Sequence, residues 1–232
     1  MTQNFITANS IIAQKDTVIA QNIILASGSQ ITMPENINGY NSLTANISYG
    51  MPLEGIKCNF KCSLNAGLTH VPAIINNEVN EQSNKTGGLG ITVSSNISEN
   101  VDFIVSSNTS IVTTANSINT QLNTTYFNEI SKASLNLIMW QGIVFNTAIN
   151  YTANFGLTAG YNQNYLLWNI SAGKKIFEHH QGEIRLSVFD ALNQNNNIQQ
   201  TVTDTYIQDT KSNILQRYFL IVFTYKISDF KK

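Results

Sequence analysis

Near the end of the chain, the stretch Leu215-Gln-Arg-Tyr-Phe-Leu-Ile-Val-Phe-Thr-Tyr-Lys-Ile227 alternates between apolar and mixed positions. From Phe219 onward every second residue is a large hydrophobe, and Arg217 is the one exception near the start. A period of two with β-branched and aromatic residues predicts a strand with one apolar face and one mixed face. About ten residues are too few for a membrane-spanning helix but enough for a tilted strand to cross a bilayer.

The same alternation recurs along the whole chain. At 42–51, for example, Leu43, Ala45 and Ile47 alternate with Ser, Thr and Asn residues. Each segment is close to the length that spans a bilayer when tilted. About ten segments follow this pattern: a weakly patterned one at 3–25, then 42–51, 56–68, 89–97, 103–111, 132–139, 143–155, 166–175, 183–188 and the stretch quoted above.

The connections between these segments alternate in length. Short ones fall near 53, 99, 141 and 180, and long polar ones are predicted at 72–85, 115–124, 158–163 and 193–213. Outer-membrane barrels have short turns on one side and long loops on the other, whereas a soluble sandwich has no reason to sort its loops. The sequence therefore predicts an antiparallel, up-and-down transmembrane β-barrel of about ten strands, closed because lipid offers no hydrogen-bond partners.

Composition agrees with a chain that faces both lipid and water. Charged residues make up 12% of the sequence, about half the usual share, and hydrophobic residues make up 42%. The net charge of -1 gives no indication of a nucleic-acid surface. The sequence contains no run of eighteen apolar residues, so no membrane-spanning helix is predicted. The N-terminus also lacks the pattern of a secretory signal. We therefore expect a C-terminal part of a longer precursor.

Charged residues at polar positions of the strands are expected to line the interior of such a barrel. A Lys or Arg facing lipid near the midplane would cost about 2–4 kcal/mol, which favours the interior. The alternative, equally open, is a mutual salt-bridge network with no transport role. The predicted lumen-facing residues are Lys57, Lys61, Lys132, Glu183 and Arg185.

Aromatic residues near the predicted strand ends fit the girdles that border a membrane. One edge would hold Tyr49, Trp140, Phe145, Phe177 and Tyr225, although Trp140 can also be explained as part of its turn. The opposite edge would hold Tyr126, Phe127, Phe155 and Tyr165.

Residue types that carry metal or redox chemistry do not form a recognisable site. Cys58 and Cys62 lie on one side of a strand, about 13 Å apart, too far for a disulfide, so we interpret them as small hydrophobes. His179 and His180 have only His70 as a distant partner, and zinc needs three or four ligands. No cofactor or metal is predicted.

A Ser–His–Asp arrangement can be drawn from Ser187, His180 and Asp190. However, the sequence has no nucleophile elbow and no strand that carries the His. The chain is therefore not predicted to be an enzyme.

Several motifs of the chain go beyond simple alternation. They are Gly88–Ser98, Asn123-Thr-Thr-Tyr-Phe-Asn128, Trp140-Gln-Gly-Ile-Val-Phe145, Tyr161-Asn-Gln-Asn-Tyr-Leu-Leu-Trp-Asn169, Gly173-Lys-Lys175, Glu183-Ile-Arg-Leu-Ser-Val-Phe-Asp-Ala-Leu-Asn-Gln-Asn195, Thr203-Asp-Thr-Tyr-Ile-Gln-Asp209 and Leu215-Gln-Arg-Tyr-Phe219. Together they resemble the C-terminal barrel of Bacteroidota outer-membrane proteins, the TonB-dependent-receptor-like group. The resemblance covers about residues 30–230 and is strongest between 161 and 219.

The resemblance implies a large barrel preceded by an N-terminal regulatory-like domain and a plug. Residues 1–232 contain neither, and family barrels need more than ten strands, so a partial barrel is expected. It also implies partners: outer-membrane lipid, the barrel-assembly machinery and, through the missing parts, a periplasmic energy-coupling protein. Family barrels tend to finish on an aromatic residue that the assembly machinery reads, and Phe230, followed by two lysines, is the candidate.

The expected role is therefore that of an integral outer-membrane barrel, part of a receptor or transporter that captures ligand with its outer loops and lumen. Two alternatives remain open: a non-transporting structural or surface-binding barrel, and a soluble secreted β-protein.

Overall fold

A computed structural model describes residues 4–25, 27, 29–95, 97–156, 163–177, 181–196, 198–202 and 206–227. The described chain is all-β, with three single-turn 3-10 segments and no α-helix, as predicted. None of its helical turns has the length and apolarity needed to span a bilayer. The strands are β1 (Phe5–Ile24), β2 (Gln30–Leu53), β3 (Cys58–Ile75), β4 (Glu78–Ser95), β5 (Val101–Asn116), β6 (Thr124–Met139), β7 (Ile143–Phe155), β8 (Gln163–Ile176), β9 (Gly182–Phe189), β10 (Ile198–Val202), β11 (Ile207–Lys211) and β12 (Tyr218–Tyr225).

Ten of these strands form one meandering sheet in the order β1 to β9 followed by β12. Each strand pairs antiparallel with its neighbour, as hairpins joined in sequence require. Strands β10 and β11 form a separate two-stranded hairpin. Between the described parts of β1 and β12 there is no ladder, so this sheet has two edges.

Near its turn, the long β1–β2 hairpin changes the strand that lies beside β3. Strand β2 is paired with β3 only as far as Asn41 opposite His70, next to Gly39 with its positive φ of 110°. Beyond that point β1 takes its place, and Asn22 pairs in parallel with Ile75. Asn22 is buried there, and its side-chain oxygen accepts hydrogen bonds from the side chains of Gln30 and Thr32.

The prediction of a long loop at 72–85 is wrong, because β3 and β4 remain paired as far as Ile75 and Glu78. They are joined by Asn76 and Asn77, both at positive φ (50° and 67°), as in the tight turns that match the twist of a hairpin. The Asn76 side-chain oxygen also accepts the Ile24 backbone N–H at 2.8 Å. Polar residues in this region therefore belong to strands rather than to a loop.

The structure also differs from the prediction around 193–213 and at the start of the last strand. The predicted loop contains the β10–β11 hairpin, and the strand begins at Tyr218 rather than at Leu215. Arg217 instead belongs to the preceding turn, where its backbone N–H donates to the Asn193 side chain at 3.3 Å. Arg217 therefore precedes the strand and is not subject to its alternation.

The strands are staggered across the sheet. Met51 lies two residues from the end of β2, whereas Trp168, six strands away in the same row, lies eight residues from the end of β8. With about 3.3 Å per residue and about 4.8 Å between strands, a shift of about one residue per strand corresponds to a strand tilt of about 35°. This tilt lies at the lower end of the range found in β-barrels. The row runs Met51, Phe60, Val93, Val105, Ala133, Ile149 and Trp168.

The Asn76–Asn77 turn gives a direct test of this hairpin. Asn77→Val is expected to lower the free energy of unfolding by about 1–2 kcal/mol, because a β-branched residue is strained at positive φ. Asn77→Gly, the matched control, fits that backbone freely and is expected to cost little. Equilibrium urea unfolding measures both, and equal losses would contradict the turn geometry.

Candidate functional site

Strand register sorts the side chains of the sheet into two chemically distinct faces. Residues directly opposite each other in an antiparallel pair lie on the same face. Leu43 lies opposite Leu68, and Ile47 lies opposite Leu64. We call the face that carries them the apolar face, and the opposite one the polar face.

The apolar face is not covered by any other element of the described chain. Leu64 and Leu186 are each 53% exposed, and Ile221 is 75% exposed. The buried hydrophobic residues of the described chain are few and mostly small: Cys58, Ala73, Ile75, Val144 and Ala153. These residues do not form a hydrophobic core of the kind that holds a soluble sandwich together.

The polar face is built from amides, hydroxyls and glycines. Asn46 lies opposite Asn65. The Asn128 side chain donates to the Asn154 side-chain oxygen at 2.6 Å, and the Asn146 amide donates to Ser171 Oγ at 3.2 Å. These cross-strand pairs satisfy polar groups without ionic charge, so the face is hydrophilic where no charged residue interrupts it.

Glycines bring neighbouring side chains close to the backbone of this face. A Cβ atom at Gly88 would lie 2.5 Å from the side-chain oxygen of Asn65. One at Gly90 would meet Ser63 Oγ at 2.5 Å and the side-chain oxygen of Asn108 at 2.7 Å. The amides and hydroxyls therefore lie flat over the strands.

Four of the five predicted lumen-facing residues occur on the polar face. Lys61 lies opposite Gly50, and Lys132 lies opposite Asn150. Glu183 and Arg185 form an ion pair, with 2.6 Å between Glu183 Oε1 and Arg185 Nη2.

Lys57 occupies a different position. It follows the 3-10 turn Glu54–Ile56 at a positive φ of 49°, and the strand begins one residue later. The predicted strand start at Ile56 is therefore shifted to Cys58, and Lys57 is an exposed turn residue.

Aromatic residues border the apolar face at both ends. At the long-connection end, the rings of Phe127 and Phe155 lie 6.2 Å apart. At the short-turn end, Phe177 and Tyr225 form an edge-to-face pair at 5.8 Å.

The other predicted girdle residues occupy three kinds of position. Tyr49 and Phe145 lie on the apolar face, opposite Cys62 and Ala172 respectively. Trp140 is 78% exposed in a 3-10 turn. Tyr165 lies on the polar face, because it is opposite Thr152, and Tyr126 is also on that face. Phe230 lies outside the described residues.

Asp190 organises a turn that the sequence did not identify as structural. It is buried, and its carboxylate accepts the backbone N–H groups of Gln194 at 2.9 Å and Asn195 at 3.0 Å. Its own N–H donates to the Asn169 side chain at 3.0 Å. Asp190 is thus engaged in holding the chain between β9 and the return to β12.

Metal-binding and catalytic residue types are not brought together in the described part of the chain, where no group of three or more His, Cys, Asp or Glu side chains could hold a metal. His70 instead lies 3.3 Å from Ser83 Oγ. Cys58 and Cys62 are free thiols on the apolar face. The predicted His179–His180 pair lies outside the described residues.

One carboxylate on the apolar face was missed by the sequence analysis. Glu129 lies opposite Thr109, and its oxygens accept hydrogen bonds from the hydroxyls of Ser107, Thr109 and Ser131. The signal was present in the sequence, because Glu129 occupies the parity of Phe127 and Ala133. It became a site only when β5 supplied two of the three hydroxyl donors.

Comparisons with known proteins identify no relative: no family model, no curated protein and no solved structure matches the chain. Its function must therefore be argued from the geometry of the two faces.

The adjacent glycines of β4 test the close packing on the polar face. Gly88→Ala is expected to lower the free energy of unfolding by about 1 kcal/mol relative to Gly87→Ala, because Asn65 must leave its rotamer. Gly87 is a matched control on the apolar face, where a Cβ would meet Ile111 at an ordinary 3.5 Å. Urea unfolding checks the difference.

Repeating both glycine substitutions in an Asn65→Ala background separates this clash from a general effect of alanine. The difference in unfolding free energy between Gly88→Ala and Gly87→Ala should disappear there, since the obstructing amide is gone. A difference that persists would show that Asn65 is not the cause.

Proposed function

We propose that the chain is part of the wall of an outer-membrane β-barrel, the C-terminal barrel portion of a receptor or transporter of the TonB-dependent type. The observation that carries this proposal is a continuous apolar face that nothing in the described chain covers. Behind it lies an amide- and hydroxyl-lined face. This is the arrangement of strands that have lipid on one side and water on the other.

The energetics favour lipid over water for the apolar face. Soluble monomers rarely expose contiguous apolar patches larger than a few hundred Å², whereas here apolar rows cross the whole sheet. Transfer of that surface out of water gains about 25 cal/mol per Å². The alternative of a soluble secreted β-protein requires a second layer of comparable size.

Backbone hydrogen bonding then requires a closed wall. A bilayer offers no partner for the N–H and C=O groups along the edges of β1 and β12. In the proposed barrel each edge therefore pairs with a further strand or with the other edge. The stagger of about one residue per strand gives the tilt that a closed wall needs.

The polar face would line the interior. Amides and hydroxyls both donate and accept hydrogen bonds, and the Glu183–Arg185 pair contributes no net charge. Lys61 and Lys132 add positive charge to the same face. Such a lining suits water and polar ligands. Energy coupling and gating would reside in the plug and coupling segment that the resemblance implies, and folding would depend on the barrel-assembly machinery.

A non-transporting, surface-binding barrel is the second candidate. It is favoured by the hairpins at the long-connection end, where β1 and β2 run for 20 and 24 residues and β10–β11 stands apart from the main sheet. These elements extend beyond what a bilayer crossing requires. They would present polar surface to other molecules outside the membrane.

Neighbouring residues of β3 test the membrane assignment. In a Cys58→Ala, Cys62→Ala background reconstituted into vesicles, Asn65→Cys is expected to react with a water-soluble maleimide and Leu64→Cys is not. Leu64→Cys should instead approach lipids that carry a quencher. Unfolding the protein in urea should expose both cysteines equally, which controls for intrinsic reactivity.

Equal labelling of both cysteines in folded, vesicle-bound protein would exclude a lipid-facing apolar side. Extraction without detergent and a gel mobility that does not change on heating would lead to the same conclusion. Conductance in planar bilayers distinguishes the two candidate roles, because an unplugged barrel with a hydrophilic lining should pass current. A surface-binding barrel with a filled interior should not conduct.

A further inference from the structure

The apolar face carries a polar island on β5 and β6, defined here as Ser107, Thr109, Glu129 and Ser131. The four residues form a square on two adjacent strands, since Thr109 lies opposite Glu129 and Ser107 lies opposite Ser131. Apolar side chains and one tyrosine surround the square on all sides. The frame consists of Leu89, Ile91, Val105, Ile111, Phe127, Ala133, Tyr151 and Ala153.

Hydroxyl groups hold the Glu129 carboxylate in place. Ser107 Oγ donates to Oε1 at 2.7 Å, Ser131 Oγ donates to the same oxygen at 2.6 Å, and Thr109 donates to Oε2. These bonds satisfy acceptor sites but leave the negative charge without a counter-charge, and the described chain places no Lys or Arg within salt-bridge distance of it. A charge that faces hydrocarbon is costly unless it is paired.

An open groove adjoins the island on its short-turn side. It has a volume of about 270 Å³, and its walls include Ile91, Val105, Ala133, Ile149 and Tyr151. Ser107 and Ala133 have small side chains, which leave space between the larger side chains that line the groove. The groove thus offers apolar contact directly beside the carboxylate.

The height of the island agrees with a membrane boundary. Glu129 lies ten residues from the end of β6 at Met139, which at a tilt of about 35° is about 27 Å along the barrel axis. The apolar band of outer-membrane barrels is about 25 Å tall. Lys85, on the same face and also ten residues from its strand end, marks the same limit.

We propose that this island and groove bind a lipid with a primary amine in its headgroup on the outside of the barrel. The primary ammonium group of the headgroup pairs with the Glu129 carboxylate, and the upper part of one acyl chain lies in the groove. The orientation fits the leaflet on the long-connection side, with the headgroup at the rim and the chain directed toward the short turns. The inference rests on the proposed membrane location.

Native mass spectrometry of the full chain in detergent tests this site with defined lipids. Phosphatidylethanolamine should be retained over phosphatidylcholine, whose quaternary nitrogen has no N–H to donate, and over anionic phosphatidylglycerol. Glu129→Gln should reduce the retention of phosphatidylethanolamine on the order of tenfold, since a charge-assisted bond is lost. Glu78→Gln, an exposed glutamate at the β3–β4 hairpin, should leave it unchanged.

Two further measurements keep the result interpretable. The headgroup preference of the unmodified protein tests the proposal even when Glu129→Gln fails to fold, and Thr109→Val should weaken the preference while retaining the carboxylate. Heat-modifiable gel mobility of the same sample reports the membrane barrel independently. A folded barrel that binds all three lipids equally would overturn the lipid site but not the proposed barrel. Dimers that Glu129→Gln disrupts would also overturn the lipid site, because they would assign the island to contact with a second copy of the chain.

Discussion

A two-residue alternation kept in register across ten strands is the constraint on which the rest of the structure depends. Because side chains alternate between faces, a slip of one residue in any strand would move its hydrophobes into the polar layer. The rows that run through Leu43 and Leu68, or through Asn46 and Asn65, remain uniform because the hairpins from β2 onward preserve parity. The exception is the β1–β2 hairpin, whose register shifts at a bulge between Lys15 and Thr17. The short turns and the Asn76–Asn77 turn fix that parity locally.

This separation of faces leaves the sheet without a conventional core. Stability of the isolated sheet comes from backbone ladders, cross-strand pairs and polar bonds such as that between Asn128 and Asn154. The apolar face gains its stabilisation only when something apolar covers it. In the barrel that we propose, lipid would do so without demanding a complementary shape, so a face of mixed aliphatic and aromatic rows would need no close-packed protein partner.

Two carboxylates in unusual positions, Glu129 and Asp190, are each held by specific contacts. Glu129 lies on the wrong face for a carboxylate but has three hydroxyl donors. Asp190 is buried but accepts two backbone N–H groups. Asp190 is deeply buried at a turn, whereas Glu129 lies at the surface of the sheet. Of the two carboxylates, therefore, Glu129 is the one that an external cation can reach.

Sequence reasoning succeeded where a pattern is local and failed where it is not. The faces of 42–51 or 143–155 follow directly from alternation. Residues 72–85 were assigned to a loop because Glu81, Gln82 and Asn84 are polar, yet β3 supplies their ladder partners. The β10–β11 hairpin was missed for a similar reason, since its five-residue strands carry little alternation.

By itself, then, the sequence determined the all-β class, the antiparallel order and the division of each strand into an apolar and a polar side, because these properties depend on residues two positions apart. Only the tertiary structure decided the stagger of the strands, the place of Lys57 in a turn and of Tyr165 on the polar face, and the assembly of the hydroxyl cage around Glu129. Those features arise from pairing between distant segments, whose register no single stretch of the chain contains.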